Sequence, residues 1–477
     1  MVNKSHKFKT KICDNSMSFE ECELAILRNA VDESEKLQGQ KIANDDSVKA
    51  IIKILENFLI RKKLICYGGT AINNILPKFA QFYDHEVEVP DYDFYSPNAL
   101  NDAKELADIY HKAGYLEVEA KAGVHFGTYK VFVDFIPIAD ITLLEPRLYK
   151  QISKDSISVA GIRYAPPNFL RMNMYLELSR PAGDVSRWEK VLKRLTLLNK
   201  HHPLKPEVEC DTVDFQRKME THMEDSEKIY YTVRDSFIDQ GVVFFGGYAT
   251  SLYSHHMDEK QRRLVEKIPD FDVLSDDPNK CAMILKETLH REGFKHIKVI
   301  KYKPIGEIIP KHVRVDVNGE IVAFIYKPIA CHSYNKIENG VNEINVATID
   351  TILTFYLAFT YADMSYYDKH RLICMAKFLF EVEEKNRLEQ RGILKRFTLN
   401  CYGNQKNMED IRAEKADKFK NLASNRNSSE YQQWFLRYNP AEKSKSKTQK
   451  IATTTKPSIH KKRRTAKAHS SRSEYLY

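Results

Sequence analysis

Residues 62–77 read KKLICYGGTAINNILP, and residues 87–96 read VEVPDYDFYS. In the first stretch a short apolar run, Leu64-Ile65-Cys66-Tyr67, ends at Gly68-Gly69. Such a run, closed by a glycine pair, reads as a buried strand turning into a helix. In the second, Asp91 and Asp93 flank Tyr92. On a strand, residues two apart share a face, so both carboxylates project together and Tyr92 points into the core. A third element, VFVDFIPI at 131–138, sets Asp134 between Val133 and Phe135 on a later apolar run.

Two carboxylates held close repel, and their pKa values rise unless a cation intervenes. Hard oxygen donors favour Mg²⁺ or Mn²⁺. With Asp134 as third ligand, Asp91 and Asp93 can bracket two such ions, which is what in-line phosphoryl transfer by the two-metal route requires. Gly68 and Gly69 give close backbone approach and N–H groups at a helix start, which suits a triphosphate, and Thr70 adds a hydroxyl. Singly these features are weak. As an ordered set they are specific.

The set occurs twice. GVVFFGGYATSLYS (241–254), VEKIPDFDVLS (265–275) and HVRVDVNGE (312–320) follow in the same order and pair Gly68 with Gly246, Asp91 with Asp270 and Asp134 with Asp316. The chain therefore reads as a tandem duplication of one α/β (α+β) unit, each a small mixed sheet with flanking helices. Helices are expected before each glycine pair, over about 99–113 and 279–292, over Asn168–Leu178 and Asp184–Asn199, and over Thr348–Glu384. The expected division is an N-terminal segment 1–44, a catalytic unit 45–205, a second unit 206–439 and a tail 440–477. Catalysis is assigned to the first copy. The second has bulky Tyr248 at the place of Thr70 and retains Asp270, Asp272 and Asp316. Arg187, Lys190 and Arg194 lie at helical spacing after the first copy. They form either a solvated face or contacts to phosphate or RNA.

Charge separates tail from body. The net charge is +9, and residues 440–477 hold 11 Lys and Arg against two Glu, so the rest is balanced. A Lys-, Ser- and Thr-rich tail of this kind is expected to be disordered and to serve as an RNA-binding arm, a localisation signal (KKRR, 461–464) or a solubilising segment. The eight cysteines form no C-x-x-C pair, so neither a zinc site nor a disulfide framework is expected, and the reading is a reduced, intracellular protein. No apolar run approaches the roughly 18 residues of a membrane span. The N-terminus lacks the apolar core of a secretory signal.

The motifs resemble the DNA polymerase β-like nucleotidyltransferase superfamily. The spacing from glycine pair to Asp-x-Asp, 21 residues (70–90) and 22 (248–269), is longer than usual there. YGGTAIN (67–73), PDYDFYS (90–96), VFVDFIPI (131–138) and MNMYLELSRPAGDVSRWEKVLKRLTLLN (172–199) are similar to poly(A) polymerase catalytic subunits of large cytoplasmic DNA viruses, poxvirus-like and especially giant-virus types. The resemblance spans about residues 45–385. It implies template-independent addition of AMP from ATP to an RNA 3′ end, a homodimer without membrane association, and residence in host cytoplasm or virion. The competing readings are a nucleotidyltransferase acting on a small-molecule or protein acceptor, and an inactive RNA-binding scaffold.

Overall fold

A computed structural model describes residues 12–13, 16–43, 45–83, 90–215, 223–265, 270–339 and 342–442. The expectations for the basic tail from 443 onward lie outside the described residues. The chain enters through α1 (Phe19–Ala43) and α2 (Asp46–Lys62). Asp45 caps α2 by accepting from the Ser47 N–H at 2.7 Å, and Val48, Ile51, Leu55, Phe58 and Leu59 form its buried face.

The first unit continues with β1 (Ile65–Tyr67), α3 (Gly68–Ile75), β2 (Tyr92–Ser96), α4 (Ala99–Lys112), β3 (Val118–Ala122), β4 (Thr128–Val133) and β5 (Ile136–Leu143). It ends with α5 (Pro146–Lys154), β6 (Ile157–Val159), β7 (Ile162–Tyr164), α6 (Pro167–Leu178) and α7 (Trp188–His201). The second unit repeats the plan: α8 (Met223–Asp239), β8 (Val243–Phe244), α9 (Gly247–Tyr253), α10 (Glu259–Val265), β9 (Phe271–Leu274), α11 (Pro278–Arg291) and β10 (Ile297–Tyr302). There follow β11 (His312–Val317), β12 (Glu320–Tyr326), β13 (His332–Asn339), β14 (Asn342–Ala347), α12 (Ile349–Phe359), α13 (Lys369–Lys385), β15 (Cys401–Tyr402), α14 (Met408–Leu422), α15 (Ser429–Phe435) and β16 (Arg437–Tyr438).

Two mixed sheets with flanking helices result. Their strand orders are β16-β3-β4-β5-β2-β1-β7-β6 and β10-β11-β12-β9-β8-β14-β13-β15. In each, a parallel strand crosses back beside the Asp-x-Asp strand: β5 on β2, and β12 on β9. The units meet along α6 and α12. Ser333 N–H donates to the Ser179 carbonyl at 2.8 Å across this boundary, and Phe169 packs edge-on against Tyr361. Arg171, fully buried in α6, is held by Asn199, Asn168 and the His202 carbonyl, so its partners are amides and carbonyls instead of a carboxylate.

Two expectations are corrected. The second unit does not keep its own C-terminal end. β16 pairs with β3, Tyr129 donates to the Gln433 carbonyl at 3.1 Å, and Lys415 donates to the Gly123 carbonyl at 2.6 Å. An uncovered β3 would be an edge strand with unpaired backbone groups, and the returning chain satisfies them. The cysteines are also mostly paired: Cys13–Cys22, Cys210–Cys374 and Cys331–Cys401, with Cys66 and Cys281 free and buried. Two of these bonds join residues 164 and 70 positions apart, so the tertiary fold creates them and no local spacing announces them. Cys210–Cys374 ties the inter-unit linker to α13. Chain entropy for a loop of that length gives a stabilisation of up to about 5 kcal/mol. Thermal melts with and without reductant check this, the expected outcome being a lower midpoint on reduction and in Cys374→Ala. An unchanged midpoint would show that the bond adds nothing.

Candidate active site

Asp91 and Asp93 project from one face at the start of β2, and Tyr92 points the other way, 3% exposed, donating to Glu56 at 3.0 Å. Thr70 is buried in α3, and its hydroxyl donates to the Asp91 carbonyl at 2.6 Å. Thr70 therefore fixes the strand against the helix and does not present its hydroxyl to a ligand, contrary to the expectation above. Gly68 stands at φ +72°, and a Cβ there would lie 2.7 Å from Asp93 Oδ2. Only glycine permits both the backbone angle and the carboxylate's approach.

Asp134 is not with them. It sits with Phe135 in the two-residue turn between β4 and β5, both at positive φ (48° and 66°), and it is exposed. Two positive φ angles define the turn that matches strand twist in a tight hairpin. The counterpart in the second unit is Asn318-Gly319, at φ 53° and 92°. Asp134 N–H donates to Glu117 and Asn318 N–H to His296 in the same way. Asp134 thus corresponds to Asn318 and not to Asp316.

The third carboxylate is Asp140 on β5, which the sequence reading missed. The parallel register places Asp140 directly beside Asp93, and the antiparallel register places Lys130 of β4 on its other side, in an ion pair with it. The second unit breaks here: Asp272 is paired with Phe324, and Arg314, at the Lys130 position, bonds instead to Asp316 at 2.8 Å. Asp316 lies two strands away from β9 and serves that arginine.

The electrostatics follow from this crowding. Burial, then the charges of Asp91 and Asp140, push Asp93 up to about 7, against Lys130 and Arg187. Burial and Asp140 likewise raise Asp91. Three carboxylates against Lys130 and Arg187, the latter itself paired with Glu177, leave net negative charge, and carboxylate oxygens are the donor type a hard divalent cation takes. Among the described residues no group of three or more His, Cys, Asp or Glu side chains is placed to hold a metal ion.

Of the three basic residues singled out on the sequence, two reach the site. Arg187 bonds to Glu177 at 3.2 Å, and its charge acts on Asp93. Arg194 donates to the Tyr83 hydroxyl at 2.7 Å and lies over the Phe82 ring. Both Tyr83 and Arg194 cover Gly69, where a Cβ would come within 2.4 and 2.9 Å of them. Lys190 is exposed and stands apart. Tyr83 was not foreseen; its only sequence signal is an aromatic pair, Phe82-Tyr83, in the long spacer before Asp-x-Asp. Trp188 packs on Phe397 and donates to the Glu177 carbonyl at 3.0 Å.

A glycine turn opening a helix thus stands beside carboxylates from two parallel strands. Residues 53–184 match the family model described as poly(A) polymerase catalytic subunit. A protein of African swine fever virus, described as a poly(A) polymerase catalytic subunit, is 33% identical over 168 residues, covering 34% of this chain and 35% of that relative. One from Acanthamoeba polyphaga mimivirus, described in the same words, is 25% identical over 339 residues, covering 68% of this chain and 50% of the relative. The chain thus spans from about a third to half the length of the curated relatives it matches. The crystal structure of the Megavirus polyadenylate synthase superposes with a TM-score of 0.74 at 19% identity, covering 95% of this chain and 92% of that one, which shows a shared fold. The resemblance drawn from the sequence motifs is borne out by these matches.

The site predicts a pH dependence. Asp93, raised from 3.8 to about 7, binds a proton in the folded chain that the unfolded chain has already lost. Its contribution to stability therefore falls as pH rises from about 4 to about 7. Melts of the wild type and Asp93→Asn across pH 4–8 should diverge, with the variant gaining relative stability toward neutral pH. Parallel curves would contradict the crowding.

Proposed function

We propose that the chain is a template-independent polyadenylate polymerase that transfers AMP from ATP to the 3′-hydroxyl of RNA, in particular mRNA, releasing pyrophosphate. The carrying observation is the β2–β5 register that sets Asp93 beside Asp140 next to the Gly68 turn. Asp91, Asp93 and Asp140 would hold Mg²⁺ or Mn²⁺, which when bound supplies neutralisation of the charge on the attacking and leaving oxygens. The Gly68-Gly69 backbone approaches the triphosphate at the start of α3, and Arg187 and Arg194 offset its charge. Tyr83 and Arg194 move off Gly69 to admit the phosphates. A carboxylate oxygen of Asp140 takes the 3′-hydroxyl proton. The second unit, with Phe324 where a third carboxylate would stand, acts as a structural partner. No helix among the described residues is long and apolar enough to cross a membrane. A homodimer and residence in host cytoplasm or virion belong to the same reading, supported by the kinship to proteins of large DNA viruses; sedimentation analysis checks the dimer.

Primer extension tests the function: labelled oligo(A) RNA, each nucleotide separately, and Mg²⁺ or Mn²⁺. Long products with ATP alone are expected. Asp91→Asn and Asp140→Asn should each lose on the order of 10²–10³-fold in rate, the scale of removing one charge-stabilising group. Asp134→Asn and Asp272→Asn should stay near wild type. Extension with no nucleotide by a folded wild type would leave a small-molecule or protein acceptor, or an RNA-binding scaffold. Loss in Asp134→Asn and not in Asp140→Asn would overturn the assignment of the third carboxylate.

A further inference from the structure

The second unit lacks the third carboxylate, yet it carries a basic surface that its counterpart does not. Its edge strand β10 corresponds to β3 of the first unit. The outer edge of β3 is closed by β16, whereas among the described residues no strand pairs with the outer edge of β10. Lys295, Lys298, Lys301 and Lys303 run along and just beyond that edge, all exposed. Across the loop that follows, Lys311 and Lys327 are exposed side by side, the Lys327 N–H donating to the Lys311 carbonyl at 3.0 Å. Among the described residues none of the six makes an ion pair.

The position of that loop gives the surface a direction. Residues 295–311 contain a single acid, Glu307. Its charge acts on Tyr95 of the first unit, and His125 of the first unit acts on it in turn. A Cβ on Gly306 would stand 2.6 Å from Leu148 Cδ1 and 3.3 Å from Glu145 Cβ, so the loop is seated on the first unit. Tyr95 lies two residues beyond Asp93 on the same face of β2. Lysines on an open edge also discourage strand pairing, which accounts for Lys298 and Lys301. It does not account for Lys303, Lys311 and Lys327, which lie off the strand.

We infer that the lysine track of the second unit, Lys298, Lys301, Lys303, Lys311 and Lys327, binds the phosphodiester backbone of single-stranded RNA upstream of the 3′ end held at Asp91, Asp93 and Asp140. This rests on the polymerase reading for which end of the RNA is held, not for the binding itself. Each lysine engaged releases counterions, so affinity should carry a steep salt dependence with a share from the track.

The test is RNA binding by the full chain without ATP, across salt concentrations, using oligo(A) of about 30 and about 5 nucleotides, above and near the span of a small single-strand site. Replacing Lys298, Lys301, Lys303 and Lys311 together by Gln should weaken the long RNA at least tenfold and flatten the slope of log K against log salt by about 3, at roughly 0.7 per contact. Binding and extension of the short RNA should not change. The four Lys→Arg replacements should restore both quantities. Lys303→Gln/Lys311→Gln, confined to the loop, should give about half the slope change and reads the track even where edge substitutions disturb β10. Long-RNA affinity and slope within twofold of wild type in the loop pair and the fourfold variant would overturn the inference. So would equal losses for long and short RNA. A wild type that binds long RNA through these lysines but extends nothing would sink the polymerase reading and leave the track standing.

Discussion

Mutual repulsion of three carboxylates, brought together by the parallel pairing of β2 with β5, is the constraint around which the first unit is built. The register leaves no freedom: a side chain at 93 and one at 140 must emerge side by side. Each neighbouring feature holds that unfavourable grouping in place. Gly68 gives up its side chain where Asp93 needs the space, Thr70 pins the Asp91 backbone, and buried Tyr92 anchors the strand from behind. Lys130 compensates one charge of the three. A site that stores repulsion in this way gains most from a ligand that brings positive charge, which is why the grouping has a functional meaning and not merely a structural cost.

The second unit shows what the same backbone becomes when the demand is lifted. The strand order and the crossover are kept, and the glycine turn even approaches its aspartate more closely, with a Cβ on Gly246 falling 2.1 Å from Asp272 Oδ2. The carboxylate across from it is gone, replaced by Phe324, and the cation at the Lys130 position has turned to a partner on its own strand. Tyr248 packs against Phe244 and Phe271, in the core behind the aspartates. Packing has replaced electrostatics, and the geometry inherited by duplication is retained because the hydrophobic core depends on it.

Much of this was legible in the sequence because it is local. Strand-glycine-helix, the Asp-x-Asp face and helices α4 and α11 all rest on residues a few positions apart. The third carboxylate was not, and the reason is specific. Val133-Asp134-Phe135 looks like continuing strand because Phe135 is apolar, yet it is a turn with Phe135 81% exposed. The second copy held the correcting signal. Asn318-Gly319 is the strongest short hairpin sequence, and aligning on it instead of on Asp316 moves the search past the turn to Ile138-Ala139-Asp140-Ile141, where an aspartate does sit among buried neighbours. The two long-range disulfides, the return of β16 and the reach of Tyr83 are contacts between distant parts of the chain, and no short window of sequence contains both partners.

The helix α7 links the two sides of the site. Val191, Leu195 and Leu198 bury one face of it, and Asn199 near its end is tied to the buried Arg171. Arg187 at its entrance and Arg194 two turns on are therefore fixed relative to the core and to each other, one acting on the carboxylates, the other over the glycine turn. Lys190, three residues after Arg187 and four before Arg194, shares their face of the helix by spacing and is exposed, so spacing alone did not separate it from its neighbours. Arg194 is bonded to the Tyr83 hydroxyl and lies over the Phe82 ring, two neutral partners. A phosphate offers the same guanidinium a charge-assisted bond of roughly twice the strength of a neutral one. On the proposed reading an anion would outcompete the aromatic cover over Gly69 for Arg194, so access of a triphosphate to the turn and release of Arg194 from Tyr83 would be one event.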